Sequence, residues 1–299
     1  MKPTPVHTVT TARRVRRGFF VAVAVLVACL GLVACGASSP GDAPATGDTA
    51  AADSAKASYN GTDFTTVQEG KLIVMSDLAY PPLESIPEGK TAADAEGYEV
   101  AVVNAIAKKL GLTPEWQQVK FDIIIPTIKQ GGKADLGASA FTITDERKEE
   151  VDFTDPYLDS NQGLVMKSAD AVADPAASLN TPDCKVAVQS GTTGEAWVKE
   201  NIPNATLVSL DDAIQAMTGV QSGLYNACVA DLPVMQYLCN SSYQDLEVVS
   251  EIPTGEQYGF VVSKDDPGLT AAINTAYQEL LDDGTIKELQ LTWFGEELS

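Results

Sequence analysis

Histidine is nearly absent from the 299-residue chain: the single one, His7, sits at the extreme N-terminus. Everything downstream therefore lacks an imidazole, the side chain most used for proton transfer near neutral pH and for holding zinc. Basic residues are scarce as well. Twenty Lys and Arg face 41 Asp and Glu, and five of the twenty fall within residues 1–34, so the remainder carries 15 against 41, a net charge of −26. A surface of that sign repels phosphate backbones and argues against nucleic acid as a partner. Beyond residue 34 no apolar run approaches the length of a membrane-spanning helix. The turn Gly191-Thr192-Thr193-Gly194 lacks the lysine of a phosphate-binding loop. Asp211-Asp212 and Asp282-Asp283 read as helix ends before they read as metal ligands, and Glu149-Glu150 as a solvated face. With no internal repeat and no motif for catalysis, metal or cofactor, a non-enzymatic role is expected.

What is present begins with an export signal. Arg13, Arg14, Arg16 and Arg17 precede an apolar run from Phe19 to Ala34, which ends in Leu32-Val33-Ala34-Cys35-Gly36. Small residues before a cysteine at the end of such a run resemble a bacterial lipobox. Residues 1–34 would then be removed, and Cys35 would carry the lipid that anchors the chain to the outer face of the cell membrane. Leu26-Val27-Ala28-Cys29 fits the same pattern but would leave Leu-Gly-Leu-Val on the mature end, so Cys35 is preferred. A plain signal peptide or an anchor helix is the alternative. Arg16-Arg17-Gly18-Phe19-Phe20 also resembles a twin-arginine signal, although an ordinary basic leader explains it. Residues 35–69 hold almost no large apolar side chain, which predicts a disordered tether.

Periodicity then alternates between strand and helix. A strand is expected at Lys71–Ser76, followed by a helix with Val100, Val103, Ala107 and Leu110 on one face and Gly111 as its stop. A strand near Glu115–Val119, a helix from Asp122 to Gln130 and a strand at Ala134–Ser139 complete the first unit. The pattern restarts at Lys185–Gln189, with a helix from Thr193, a strand at Ala205–Ser209, a helix capped by Asp211 and a strand at Ala227–Ala230. Two more strands, Asn161–Met166 and Tyr258–Ser263, look like crossings between lobes. Helical Leu269–Leu281 and a last helix reaching Trp293-Phe294-Gly295 should return to the first lobe. Lobe 1 would thus comprise residues 70–163 and 262–299, and lobe 2 residues 164–261. Alternation of this kind implies an α/β fold of two parallel-type sheets flanked by helices and joined by a two-strand hinge. Ligands of such sheets sit beyond the carboxyl ends of the strands.

Several segments resemble the amino-acid-type, or family 3, solute-binding proteins of ABC importers. They are Ser76-Asp77-Leu78-Ala79-Tyr80-Pro81-Pro82-Leu83-Glu84, Gly97-Tyr98-Glu99-Val100, Phe121-Asp122 to Pro126, and Ser139-Ala140-Phe141-Thr142-Ile143-Thr144-Asp145-Glu146-Arg147. The last continues into Val151-Asp152-Phe153-Thr154-Asp155-Pro156-Tyr157. Gln189-Ser190-Gly191-Thr192-Thr193, Ala230-Asp231, Asp283-Gly284-Thr285 and Trp293-Phe294-Gly295 close the pattern, so the resemblance covers about Lys71 to Gly295. One departure is Ala101, where the family usually has an acid. The resemblance implies a two-lobed, periplasmic-binding-protein-like fold of type II. It also implies a free amino acid as ligand, an ABC importer permease as partner, and a monomer. Two alternatives share the scaffold, a dehydratase-like enzyme and a ligand-sensing subunit; the retained Asp231 counts against the first.

The residues make chemical sense on their own. A free amino acid offers a carboxylate and an ammonium, both costly to desolvate unless paired. Arg147 can fork a carboxylate, and the helix opened by Gly191-Thr192-Thr193 offers free N–H groups to the same anion. Asp231, at a strand's carboxyl end, suits the ammonium. By resemblance Ser139 and Thr142 add hydrogen bonds, Ala140 joins the ligand-binding set, Tyr80 and Phe121 sandwich the side chain, and Asp77 and Gln189 read its polar end, favouring a basic or amide group. Taken singly, Arg147 could be a structural ion pair, Asp231 a helix N-cap, Tyr80 loop packing and Asp77 a brace for its own loop.

Three cysteines follow Cys35. Cys184 and Cys239 both fall at element ends on one sheet edge, whereas Cys228 lies within a strand. A Cys184–Cys239 disulfide with Cys228 free is therefore expected of an exported chain.

Overall fold

The computed structural model describes residues 54–298. The expected signal peptide and the Cys35 lipidation site lie outside them. Among the described residues no helix is long and apolar enough to cross a membrane.

The described chain opens on a hairpin, β1 (Ala55–Tyr59) and β2 (Thr62–Thr66), within the span expected to be a tether. Its few apolar groups suffice because it docks on a helix, Pro267–Asp282, rather than burying a core of its own. Phe64 is buried, the Tyr59 hydroxyl and the Asn60 amide donate to Glu279 (2.7 and 2.8 Å), and the Thr65 amide donates to Asp266 (2.7 Å). Gly268 permits the approach: a Cβ there would lie 2.0 Å from the Asp63 carbonyl oxygen.

The first lobe follows. It holds β3 (Lys71–Ser76), the short pair β4 (Ala79–Tyr80) and β5 (Glu84–Ser85), α1 (Tyr98–Lys109), β6 (Thr113–Gln118), α2 (Phe121–Gln130), β7 (Leu136–Gly137), α3 (Asp145–Glu150) and β8 (Asp152–Phe153). The chain then enters the second lobe along β9 (Leu158–Lys167). There it forms α4 (Pro175–Leu179), β10 (Lys185–Gln189), α5 (Thr193–Asn201), β11 (Thr206–Leu210), α6 (Ala213–Ser222), β12 (Ala227–Asp231) and α7 (Leu232–Ser241). It returns along β13 (Leu246–Tyr258) to β14 (Val261–Val262), α8 (Pro267–Asp282) and α9 (Thr285–Phe294) in the first lobe.

Each lobe is a five-stranded sheet, ordered β6-β3-β7-β14-β8 and β11-β10-β12-β9-β13. The sheets are mixed rather than purely parallel. β3, β6 and β7 run parallel, as do β10, β11 and β12, whereas β14 and β9 are antiparallel to their neighbours. Both lie next to an inter-lobe crossing and enter their sheets from the opposite direction. β3 is apolar without alternation because both its faces are covered. Leu72 and Val74 join the cluster that includes α1 and α8, and Ile73 and Met75 join the one that includes α2. The helix after β11 is capped by Asp212, whose carboxylate accepts the Gln215 N–H (2.7 Å), and not by Asp211.

The expected disulfide is not formed: Cys184, Cys228 and Cys239 are all free. The second sheet separates the proposed partners. Cys184 packs with the cluster that includes Val186, Val188 and Val198 of α5, and Cys239 with the opposite cluster of α6 and α7. Sharing an edge is not enough when the two residues lie on different faces. Cys228 is buried with its sulfur 3.4 Å from that of Met217, and burial pushes its thiol pKa up.

Candidate functional site

A cavity opens where the carboxyl ends of the two parallel strand sets face each other. Asp77 follows β3, Phe121 opens α2, and Ser139, Ala140 and Thr142 follow β7. Gln189 ends β10, Thr193 opens α5, and Asp231 ends β12. With Tyr80 on β4 and Arg147 on α3, all ten residues singled out from the sequence line this one cavity, and Thr192 joins them. The chain between Thr192 and Thr193 is fixed by a cap: the Thr192 hydroxyl accepts the Glu195 N–H (3.1 Å), and Glu195 in turn accepts the N–H of Gly191 (2.9 Å). Gly191 has φ of 79°, and a Cβ there would meet Asp122 of the other lobe at 3.3 Å.

One end of the cavity is charged and cross-tied. Arg147 is the sole arginine after residue 17. Its guanidinium donates to the carbonyls of Thr142 (2.8 Å) and Gly191 (3.1 Å) and lies 5.5 Å from the centroids of both Phe121 and Phe141. No carboxylate comes within 4 Å of it among the described residues. Burial lowers its pKa, against the attraction of Asp231 and Glu256. Asp231 stands at the N-cap position of α7 yet makes no capping bond with its side chain, so its carboxylate is free for the cavity. It accepts a hydrogen bond from Gln162, and its backbone N–H donates to the Tyr80 hydroxyl (3.0 Å). Burial, and then the nearby Glu256, push Asp231 up to about 7, partly offset by hydrogen bonds from Tyr258, Gln162 and Tyr80.

At the other end Asp77 is buried with a single side-chain partner, the amide of Gln189 across the cleft (2.8 Å). Its second oxygen accepts no hydrogen bond among the described residues. Burial is the largest cause of its pKa being raised to about 6. Behind this wall the Ser139 hydroxyl accepts the Asp77 N–H (3.2 Å) and donates to Glu84 (2.5 Å), while the Ala140 N–H donates to Glu99 (3.1 Å). Glu84 and Glu99 are both fully buried, and Tyr157 donates to Glu99 (2.6 Å). Burial and the neighbouring Glu99 hold Glu84 well above the ordinary carboxylate range.

Sequence reasoning missed Gln162 and Glu256, both buried and both hydrogen-bonded to cavity residues. They belong to β9 and β13, where long-range pairing sets their neighbours and local sequence carries no signal. Asp77, by contrast, sits in a recognisable loop.

The model of the bacterial extracellular solute-binding proteins, family 3, matches residues 72–296. The chain belongs to this family. Among curated relatives, the L-cystine-binding protein TcyJ of Escherichia coli K12 is 28% identical over 78% of this chain and 85% of its own length. The L-arginine-binding protein of Pseudomonas aeruginosa is 30% identical over 73% of this chain and 85% of its own. Among solved structures, an ancestral amino acid-binding protein described as a precursor of cyclohexadienyl dehydratase is 36% identical, with a TM-score of 0.69. That match covers 75% of this chain and 96% of the other. The hairpin β1–β2 precedes the matched region.

Proposed function

We propose that this family 3 protein captures a free amino acid outside the cell and hands it unaltered to the permease of an ABC importer. The observation that carries the reading is an unpaired Arg147 and a buried, uncapped Asp231 facing one cavity between two lobes. A guanidinium and a carboxylate that are both without an ion-pair partner match the two charges every free amino acid carries. In this reading Arg147 and the N–H groups of Thr192 and Thr193 take the carboxylate, while Asp231, Thr142 and the Ser139-Ala140 segment take the ammonium. Tyr80 and Phe121 flank the side chain, and Asp77 and Gln189 read its far end. Asp77 with an open oxygen favours a cationic or amide side chain: Arg, Lys, His, ornithine or Gln. The arginine-binding relative supports the same preference. That the matched relatives are named as binding proteins supports a role without covalent chemistry.

A thermal-shift screen over the L-amino acids, followed by calorimetry of the hits, tests the reading. A basic or amide amino acid should raise the melting temperature most; a best ligand that is acidic or aliphatic contradicts the assignment of Asp77. We propose in addition that the protein acts as a monomer held to the membrane by lipid on Cys35. Cys35→Ser should then abolish palmitate labelling and release or stall the chain, whereas loss of labelling in Cys29→Ser alone would move the anchor.

A further inference from the structure

We infer that Glu256 is a positioning residue that latches the two lobes together around the ligand, an inference that rests on the amino-acid-binding reading above. Glu256 lies on the returning hinge strand β13, beside an irregularity in its pairing with β9, and is buried. A single one of its oxygens, Oε2, accepts the Thr142 hydroxyl of the first lobe (2.7 Å) and the Thr193 hydroxyl of the second (3.1 Å). The Gln162 amide, from the outgoing hinge strand, donates to the same oxygen (3.1 Å) and also to Asp231. Both hydroxyls line the cavity. Opening the cleft moves Thr142 and Thr193 apart, so at least one bond to Oε2 has to break.

Two consequences follow from the direction of these bonds. Glu256 as a carboxylate only accepts, so each hydroxyl spends its proton on Glu256; Thr142 keeps its lone pairs for the cavity, and Thr193 keeps what remains after it accepts the Gln162 amide (3.2 Å). Lone pairs suit an ammonium, so the Thr142 hydroxyl beside Asp231 favours the ammonium over the carboxylate at that point. The bonds also form together only when the lobes meet, so they stabilise the closed complex rather than the encounter with ligand. Glutamine at this position would be isosteric but would present donors as well as acceptors, and would lose the charge-assisted part of each bond.

The test measures L-arginine and L-glutamine binding to the wild type, Glu256→Gln, Thr142→Val, Thr193→Val and the double Thr variant, by calorimetry and stopped-flow fluorescence. Circular dichroism checks that each variant is folded. Glu256→Gln should weaken the better ligand by about tenfold or more, chiefly through faster release with an association rate close to that of the wild type. In the wild-type background the two Thr substitutions should be non-additive, and in Glu256→Gln they should become additive. An affinity within twofold of the wild type, or a loss expressed only in the association rate, overturns the latch while leaving the amino-acid reading intact. If Glu256→Gln does not fold, persistent additivity of the Thr pair in the wild-type background overturns it instead. Wild-type protein that binds none of L-arginine, L-glutamine, L-lysine, L-histidine and L-ornithine refutes the reading of the site, and the latch with it.

Discussion

The two ends of the cavity are built on different plans. At one, Arg147, Glu256 and Gln162 are held by several hydrogen bonds each, drawn from both lobes and both hinge strands, and the Asp231 carboxylate is tied into the same network through Gln162. At the other, Asp77 has one side-chain partner, Gln189, which also donates to the Asp211 carbonyl (3.1 Å). The densely tied end suits the part of the ligand that all amino acids share. The sparsely tied end can exchange an amide contact for a ligand group at small cost, so selectivity between side chains belongs there.

The sharpest way to break this comparison is at the tied end. Arg147→Ala or Asp231→Ala should each cost about 3–5 kcal/mol of binding, because truncation leaves an opposite charge buried without its partner. Calorimetry against the identified ligand reads the loss, and an unchanged thermal midpoint of the ligand-free protein separates it from unfolding. At the sparse end, Asp77→Ala should cost a basic ligand about 1–3 kcal/mol and leave small neutral amino acids almost untouched. Equal losses for both classes would show that the two ends are not divided by role.

Acidity distinguishes the ends as well. Burial pushes Asp231 up to about 7 and Asp77 up to about 6, and each has to be ionised to hold a cation. Affinity for a basic amino acid should therefore fall as pH drops, first through Asp231 and then through Asp77, by at most about tenfold per pH unit for each group. Ligand-free stability moves the other way. Asp231, Asp77 and Asp135 hold their protons more tightly folded than unfolded, with folded values of about 7, 6 and 6 against an ordinary 3.8. Their contribution is full below the ordinary value and is lost as pH rises through 6 to 7. Melting curves at pH 5 and pH 8, with and without ligand, expose the opposing slopes. The smallest effect is expected at the cleft's rim, where Lys120 and Asp211 pair across the lobes at 2.8 Å with both side chains more than half exposed. Lys120→Ala should change affinity only slightly, and less at high salt.

Much of the strand and helix order was legible because apolar runs such as Leu72–Met75 and helical spacing such as Val100, Val103 and Ala107 are local signals. The hairpin was not, because its stability comes from Phe64, Tyr59 and Thr65 meeting a helix some 200 residues away. The strand expected at Tyr258–Ser263 corresponds to β14, and β13 before it has no local signature. It carries Pro253, Gly255 and several acids, tolerated because it is the edge of its sheet and paired irregularly. The cysteine pairing failed for a related reason: chain direction fixes which edge a residue reaches, but packing fixes the face. At the site, lobe-borne residues came from loops with their own signature, while Gln162 and Glu256 gain their places only when the two hinge strands pair.

The central claim, that Arg147 holds the carboxylate of a free amino acid, is tested most directly by titrating L-arginine and its decarboxylated analogue, agmatine, into the wild type and Arg147→Ala. The wild type should prefer L-arginine by about a hundredfold or more, as expected of a charge-assisted fork, and Arg147→Ala should lose most of that preference. Agmatine binding as tightly as L-arginine, or a preference that survives in Arg147→Ala, would contradict the account.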